Sequence, residues 1–259
     1  MRSTLLALAA LWVGCASLAA EAADAACDKP AHMLILGGTE DFAALSEEAK
    51  ANMRKYAAEV PALVAQHGGV FKVRGRAGAV IEGTFPAWKN IVVSDWPCAQ
   101  AAQNFWHSEK YEQEVHPLRK GNAAYDIALY PDAPKDPRAT GVWTAGGGAS
   151  AKGIQCDAPV YFLVAVTVKA PEKLAAYRKA MLDSGIQYSY GAVDVLLGAP
   201  LDVLEGQWPK DFNAKVTRWP CREAFDAFYT SADYQTKYKP LRKEAGDFTA
   251  VIAPAYAPK

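Results

Sequence analysis

Two basic side chains, Lys72 and Arg74, alternate with Phe71 and Val73, and His67 stands just before Gly68-Gly69. Strand alternation puts Lys72 and Arg74 on one sheet face with Val70. Lining an enclosed space, that face suits an aromatic acid or another amphiphilic anion; at a rim it is merely solvated. His67 also has two readings. It fits a helix C-terminus, followed by glycine and near the negative end of the helix dipole, and it is a residue type that moves protons or contacts ligands. Glu82 and Glu205 each precede a glycine. They read as partners of Arg119 and Arg242 in structural ion pairs, or as bases of raised pKa in a dry interior. Trp88, Trp96, Trp208 and Trp219 offer apolar area for packing or for stacking on a ligand.

Other chemistries find less support. His32, His67, His107 and His116 show no H-x-x-x-H spacing, and the cysteines form no C-x-x-C pair, so no metal site is expected. Gly146-Gly147-Gly148 does not follow a strand as a phosphate loop would, and no cofactor is expected. Cys98 and Cys221 fall at helix starts, where a thiol pKa is lowered, but their number and setting favour disulfides.

The elements that must position these residues occur twice. Val93-Ser94-Asp95-Trp96-Pro97-Cys98 returns as Val216-Thr217-Arg218-Trp219-Pro220-Cys221, 123 positions on. The same offset carries Gly68 onto Gly191, Glu82-Gly83 onto Glu205-Gly206, Tyr111 onto Tyr234 and Pro117-Leu118-Arg119-Lys120 onto Pro240-Leu241-Arg242-Lys243. This period far exceeds solenoid repeats, so the chain reads as two fused copies of one small domain, over 27–130 and 158–259. Between them 131–157, rich in Pro, Gly, Ala and Ser, reads as a flexible linker.

Lysine plus arginine (28) equals aspartate plus glutamate (28), so no net field attracts nucleic acid or an anionic membrane. The N-terminus has a basic start, an apolar run from Leu5 to Val13 and A-x-A sites. Residues 1–25 therefore read as a secretory signal peptide, cleaved after Ala22 or Ala25, and the run is too short to span a bilayer. The expected compartment is the periplasm. Cleavage leaves Cys27, Cys98, Cys156 and Cys221, an even number suited to disulfides there.

Within the second copy, Pro159 to Val168 reads as a buried strand. Pro171-Glu172 opens a helix, and Gly191 to Glu205 reads as one strand broken near Gly198-Ala199-Pro200. Asn213 to Arg218 is the next strand. Ala224, Phe225, Phe228 and Tyr229 share a helix face, and Phe248 to Ala253 closes the unit. The first copy repeats the order, with extra material around Gly38 to Ala51. The order β-α-β-β-α-β gives an α+β, ferredoxin-like unit, with two helices on one face of an antiparallel sheet. The bare face of each sheet is most simply covered by its duplicate, so the copies are expected to pack sheet to sheet as an intramolecular dimeric α/β barrel, a monomer that is its own pseudo-dimer. In that topology the first and third strands are antiparallel neighbours. Cys27 and Cys156 precede the first strand and Cys98 and Cys221 follow the third, so Cys27–Cys98 and Cys156–Cys221 are the expected bridges.

The run His67-Gly68-Gly69-Val70-Phe71-Lys72-Val73-Arg74-Gly75, then Val80-Ile81-Glu82-Gly83, Trp96-Pro97-Cys98 and Ser108-Glu109-Lys110-Tyr111, resembles the family catalogued as domain of unknown function 1330. The second copy is similar at Val203-Leu204-Glu205-Gly206-Gln207-Trp208, Trp219-Pro220-Cys221 and Ser231-Ala232-Asp233-Tyr234. The resemblance implies a dimeric α/β barrel and no established reaction. The second copy departs from the first, with Tyr190 for His67, Val195 for Lys72 and Leu197 for Arg74. One working pocket, inside the barrel and biased to the first copy, is therefore expected to take a small organic acid or aromatic ligand. Its candidate contacts are His67, Lys72, Arg74, Glu82, Trp88, Tyr190, Glu205 and Trp208. The alternatives are a cofactor-independent oxygenase or isomerase acting on a small aromatic or polyketide-like substrate, and a structural docking module.

Overall fold

The computed structural model describes residues 27–139, 148–149, 152–208 and 211–257. The expected leader and its cleavage sites lie outside the described residues. The first copy runs β1 (Ala31–Gly38), α1 (Glu47–Gln66), β2 (Val70–Arg76), β3 (Ala79–Glu82), β4 (Asn90–Trp96), α2 (Ala99–Trp106) and β5 (Ala124–Pro131). Between the copies, β6 (Gly148–Ala149) pairs with β7 (Gln155–Cys156). The second copy runs β8 (Val160–Val168), α3 (Pro171–Ser184), β9 (Val193–Gly198), β10 (Asp202–Glu205), β11 (Phe212–Trp219), α4 (Arg222–Tyr229) and β12 (Gly246–Pro254).

Local chemistry sets the helix ends. The Ser46 hydroxyl accepts from the Ala49 N–H at 3.1 Å, with Glu47 and Glu48 in the first turn, so α1 opens on a side-chain cap and favourable charge. It closes on a Schellman motif: the Gly69 N–H donates to the Val64 carbonyl (2.9 Å) and the Gly68 N–H to the Ala65 carbonyl (3.0 Å). Gly68 has φ +79°, a conformation that favours glycine. The second copy repeats this turn, with the Ala192 N–H on the Gln187 carbonyl (3.2 Å) and the Gly191 N–H on the Tyr188 carbonyl (2.9 Å). His67 and Tyr190 are thus equivalent helix-end residues.

Each copy contributes an antiparallel sheet of the ferredoxin-like order, β5-β1-β4-β2 in the first and β12-β8-β11-β9 in the second. A fifth strand comes from the other copy: β10 adds to β5, and β3 adds to β12. The expected single broken strand from Gly191 to Glu205 is therefore two strands in different sheets. Its corner is Gly198 (φ +128°), which lets the chain leave its own sheet for its neighbour's. The glycine after each crossing glutamate has a physical cause as well. A Cβ on Gly83 would stand 2.4 Å from the Phe248 carbonyl oxygen, and one on Gly206 would stand 2.5 Å from that of Tyr125.

Matching bulges sit in β2 and β9. The β2–β4 register shifts between Phe71 and Val73, and the β9–β11 register shifts between Asp194 and Leu196, so Lys72 and Val195 are the extra residues. Their carbonyls accept from the chain just past the other sheet's last strand, the Tyr256 N–H beyond β12 on Lys72 (2.8 Å) and the Ala133 N–H beyond β5 on Val195 (2.9 Å). Here bulges join two sheets into a barrel.

Sheet-to-sheet packing is as expected, but the barrel interior is filled. Leu34, Val73 and Val93 form one buried cluster with Leu163, Val216 and Val251. This corrects the expectation of a pocket inside the barrel: β-branched and leucine side chains from both inner faces occupy that space. Tyr130 is also fully buried there, and its hydroxyl has no hydrogen-bond partner among the described residues. Since an unpaired buried hydroxyl is a cost, Tyr130→Phe is expected to leave the urea midpoint unchanged or to raise stability by up to about 1 kcal/mol. A clear loss would show that the hydroxyl is bonded.

The start of the expected flexible linker is anchored. Asp132 bridges to Leu196 and Ala133 is buried. Arg138 pairs with Asp136 (2.7 Å) and donates to the Leu182 and Asp183 carbonyls at the end of α3. The two disulfides are Cys27–Cys98 and Cys156–Cys221, the expected pairs, each joining the approach to a first strand to the residue preceding α2 or α4.

Candidate functional site

Each copy has a cavity on the outer face of its sheet, beneath the helices, and a further space of about 340 Å³ opens at the end of the barrel. The first copy's cavity is about 370 Å³, within the range of small-molecule sites. Its floor comes from β1, β2 and β4 through Met33, Phe71 and Trp96, and its wall from α1 through Tyr56 and Val60. Phe105, Trp106 and Tyr111 close one side, and Phe42, carried by the extra segment before α1, lies over it. Burial, with Tyr56 close by, pushes Tyr125 up to about 12, and burial raises Tyr111 further. Both hydroxyls are therefore neutral at ordinary pH.

Two cations line this cavity, the exposed Arg54 on α1 and the half-buried Arg74 on β2, of which Arg74 is the more enclosed. One Nη2 hydrogen bond goes to the Ala57 carbonyl (2.6 Å), and the guanidinium lies 5.4 Å from the Phe71 ring and 5.9 Å from that of Tyr256. Among the described residues no carboxylate pairs with it. The aromatic faces hold the planar cation in place, leaving a charge available to an anion.

The corresponding space in the second copy is only about 70 Å³, because larger and more polar side chains fill it. Lys215 replaces Val92, and Arg178 stands where α1 has Ala57. Asp194, replacing Phe71, accepts from Lys215 Nζ (2.9 Å), Gln187 Nε2 (2.9 Å), the Tyr188 hydroxyl (2.9 Å) and the Thr217 hydroxyl (3.0 Å). Such a satisfied network is a polar core rather than an open site.

Of the eight candidate contacts read from the sequence, Arg74 alone lines the first cavity. The bulge at Lys72 turns Lys72 away from Arg74, correcting the shared-face expectation. Lys72 pairs with Asp95 (3.2 Å) at the end of the barrel, where Asp95 also meets His32 Nδ1 at 2.8 Å. Burial works to raise the Asp95 pKa, but His32 and Lys72 outweigh it and hold it low. His67 stands edge-on to Phe105 with ring centroids 6.0 Å apart. Trp88 lies in the turn before β4, 5.6 Å from Lys89 Nζ, and Trp208 packs on Tyr130 and Phe212. Tyr190 lies against Phe228, with Lys152 Nζ 5.2 Å from its ring.

Glu82 and Glu205 make the expected ion pairs, but crosswise. Arg119 of the first copy donates Nη1 (2.8 Å) and Nη2 (2.6 Å) to Glu205 on β10, and Arg242 of the second copy pairs with Glu82 on β3. Each pair thus fastens a crossing strand to its host sheet. The cavity residues missed in the sequence include Tyr56, Phe71 and Tyr111, whereas Trp96 was read there as packing or stacking area. Their signal was present in part, since Tyr56, Trp96 and Tyr111 have counterparts in Tyr177, Trp219 and Tyr234.

The sequence model of the family described as Domain of unknown function (DUF1330) matches the chain twice, over residues 42–132 and 159–256. The chain belongs to the DUF1330 family. Each match covers most of one copy, and together they leave out the connection. No curated protein sequence matches the chain. Among solved structures, this DUF1330 tandem is similar to a mutant chlorite dismutase from Candidatus Nitrospira defluvii, with 11% identity and a TM-score of 0.52 over 88% of this chain and 92% of that one. It is also similar to a putative monooxygenase from Fusobacterium nucleatum subsp. nucleatum, with 8% identity and a TM-score of 0.51 over 88% and 93%. At these identities the likeness is one of fold, the dimeric α/β barrel, here made by a single chain.

Proposed function

We propose that this DUF1330 tandem is a binding protein for a small aromatic carboxylic acid, held in the first copy's cavity with its ring among the aromatic side chains and its carboxylate on Arg74. The observation that carries this reading is the asymmetry between equivalent spaces, about 370 Å³ in one copy and 70 Å³ in the other. Binding fits better than acid–base catalysis. Among the described lining residues there is no carboxylate, imidazole or thiol, and the buried tyrosines are held neutral, so a proton-abstracting step has no base. Because the copies complete each other's sheets, the chain is proposed to work without a second subunit. Two disulfides favour an oxidising compartment outside the cytoplasm, in keeping with the leader read from the sequence. No described helix is long and apolar enough to cross a membrane.

Calorimetric titration with 1-naphthoate tests the proposal. Replacing Arg74 by leucine, the residue at the equivalent place in the second copy, is expected to weaken binding roughly tenfold to a hundredfold, the loss of a charge-assisted hydrogen bond. Equal affinity in wild type and Arg74→Leu would remove Arg74 from the site, and no binding by wild type would remove the ligand class.

A further inference from the structure

The two copies place an arginine between the first helix and the edge strand from opposite walls. In the first copy it is Arg74 on β2, reaching to Ala57 on α1. In the second, the strand residue is Leu197 and the arginine is Arg178, on α3. Arg178 is half-buried and donates from Nη2 to Asn213 Oδ1 at 3.1 Å, and among the described residues no carboxylate pairs with it. Burial pulls its pKa down from the ordinary arginine value, so the charge is held at a cost that an anion would offset. Its neighbour Lys179 is already paired with Asp183 at 2.7 Å.

Arg178 also faces a second space. Outside the filled interior of the second copy, a cleft of about 550 Å³ lies between α3 and the ends of β8 and β11. Val168, Pro171, Leu174, Ala175 and Leu182 make its apolar wall, and Arg178 and Asn213 stand together on its lining. Among the described residues no aromatic side chain lines it, in contrast to the first copy's cavity. Lys179 and Asp183, also on the lining, neutralise each other, and Asp211 beside them opposes a second negative charge.

We propose that the cleft between α3 and β11 is a second ligand site, taking a short aliphatic monocarboxylate whose carboxylate pairs with Arg178 and whose chain lies on Leu174 and Leu182. The guanidinium offers further N–H donors in a planar fork that matches a carboxylate. The carboxamide of Asn213, already bonded to the guanidinium, fixes its orientation. The aliphatic wall selects a chain over a ring, and Asp211 selects one charge over two. The site does not depend on the aromatic-acid reading of the first copy, because it shares no lining residue with that cavity.

Residue-resolved NMR of the full chain with butyrate as probe tests the assignment. Shift changes are expected in the amides of Leu174, Ala175, Leu182 and Asn213, saturating with concentration. Arg178→Gln is expected to weaken them at least tenfold while 1-naphthoate binding by the first copy is unchanged. Ala175→Trp, an exposed change that narrows the cleft without touching the arginine, is expected to do the same and serves if Arg178→Gln fails to fold. Butyrate shifts confined to the first copy, or equal butyrate affinity in either folded variant, would overturn the proposal. Succinate binding as tightly as butyrate would overturn the selection for a single charge.

Discussion

Glu205→Ala is expected to destabilise the protein by about 3 kcal/mol in urea unfolding, the low end of the cost of leaving one member of a buried ion pair alone. Arg119 is 1% exposed. Its guanidinium lies 4.7 Å from the Tyr125 ring, 5.7 Å from that of Tyr56 and 5.8 Å from that of Trp106. Those rings cannot replace a carboxylate that accepts two hydrogen bonds. The low end applies because the Glu205 side chain is 28% exposed, so water reaches part of the site. The damage should spread to the joint between copies, since Glu205 lies on the strand that crosses to β5. Removing both charges, as Arg119→Met with Glu205→Gln, is expected to recover much of the loss, because the buried guanidinium is then gone. A double variant no better than Glu205→Ala would contradict this account. The pair also sets an acid limit. Burial works to raise the Glu205 pKa, but Arg119 and His116 outweigh it and hold it below its ordinary value of 4.5. A carboxylate with a lowered folded pKa stabilises above the unfolded value and loses that contribution as pH falls through the folded one. Stability should therefore drop below about pH 4.5 in the wild type, and drop less in Glu205→Ala.

Reducing both disulfides is expected to have the largest effect. The bridges close loops of 71 and 65 residues, each nominally worth roughly 4 kcal/mol through the entropy of the unfolded chain and often less in practice. Together that approaches the whole stability of an ordinary domain, about 5–15 kcal/mol. The measurement is urea unfolding with and without dithiothreitol, with Cys98→Ser and Cys221→Ser separating the two contributions. Cys98→Ser should loosen the first copy and its cavity, whereas Cys221→Ser should leave 1-naphthoate binding closer to wild type. An unchanged midpoint under full reduction, checked by thiol titration, would show that the bridges add nothing.

The sequence disclosed most of the fold because its devices are local and occur twice. The alternation of β8, the shared face of Ala224, Phe225 and Phe228, and the glycines after His67 and Tyr190 can all be read without knowing what lies opposite. The disulfide pairs follow once the strand order is known. The features that escaped depend on the other copy. Nothing within Leu201 to Glu205 says that β10 pairs with β5 rather than with its own sheet, and nothing beside Glu82 says that its partner is Arg242 rather than Arg119. The bulge at Lys72 is equally silent, since the register shift becomes visible only against β4, and that one extra residue separates Lys72 from Arg74. The cavity was misplaced for a related reason. The bare sheet face was correctly given to the duplicate, but interdigitating side chains fill the middle of the barrel, and the first copy's aromatic-lined space lies under α1.

The crossing strands carry an evolutionary consequence. In an assembly of two identical subunits, every substitution is made at both places at once, so an alteration helpful to one site and harmful to the other is lost. Fusion removes that constraint while keeping the geometry that needs two units. Ala57 with Arg74 on one side, and Arg178 with Leu197 on the other, are what such freedom looks like after it has been used: one mould from which two differently shaped cavities have come.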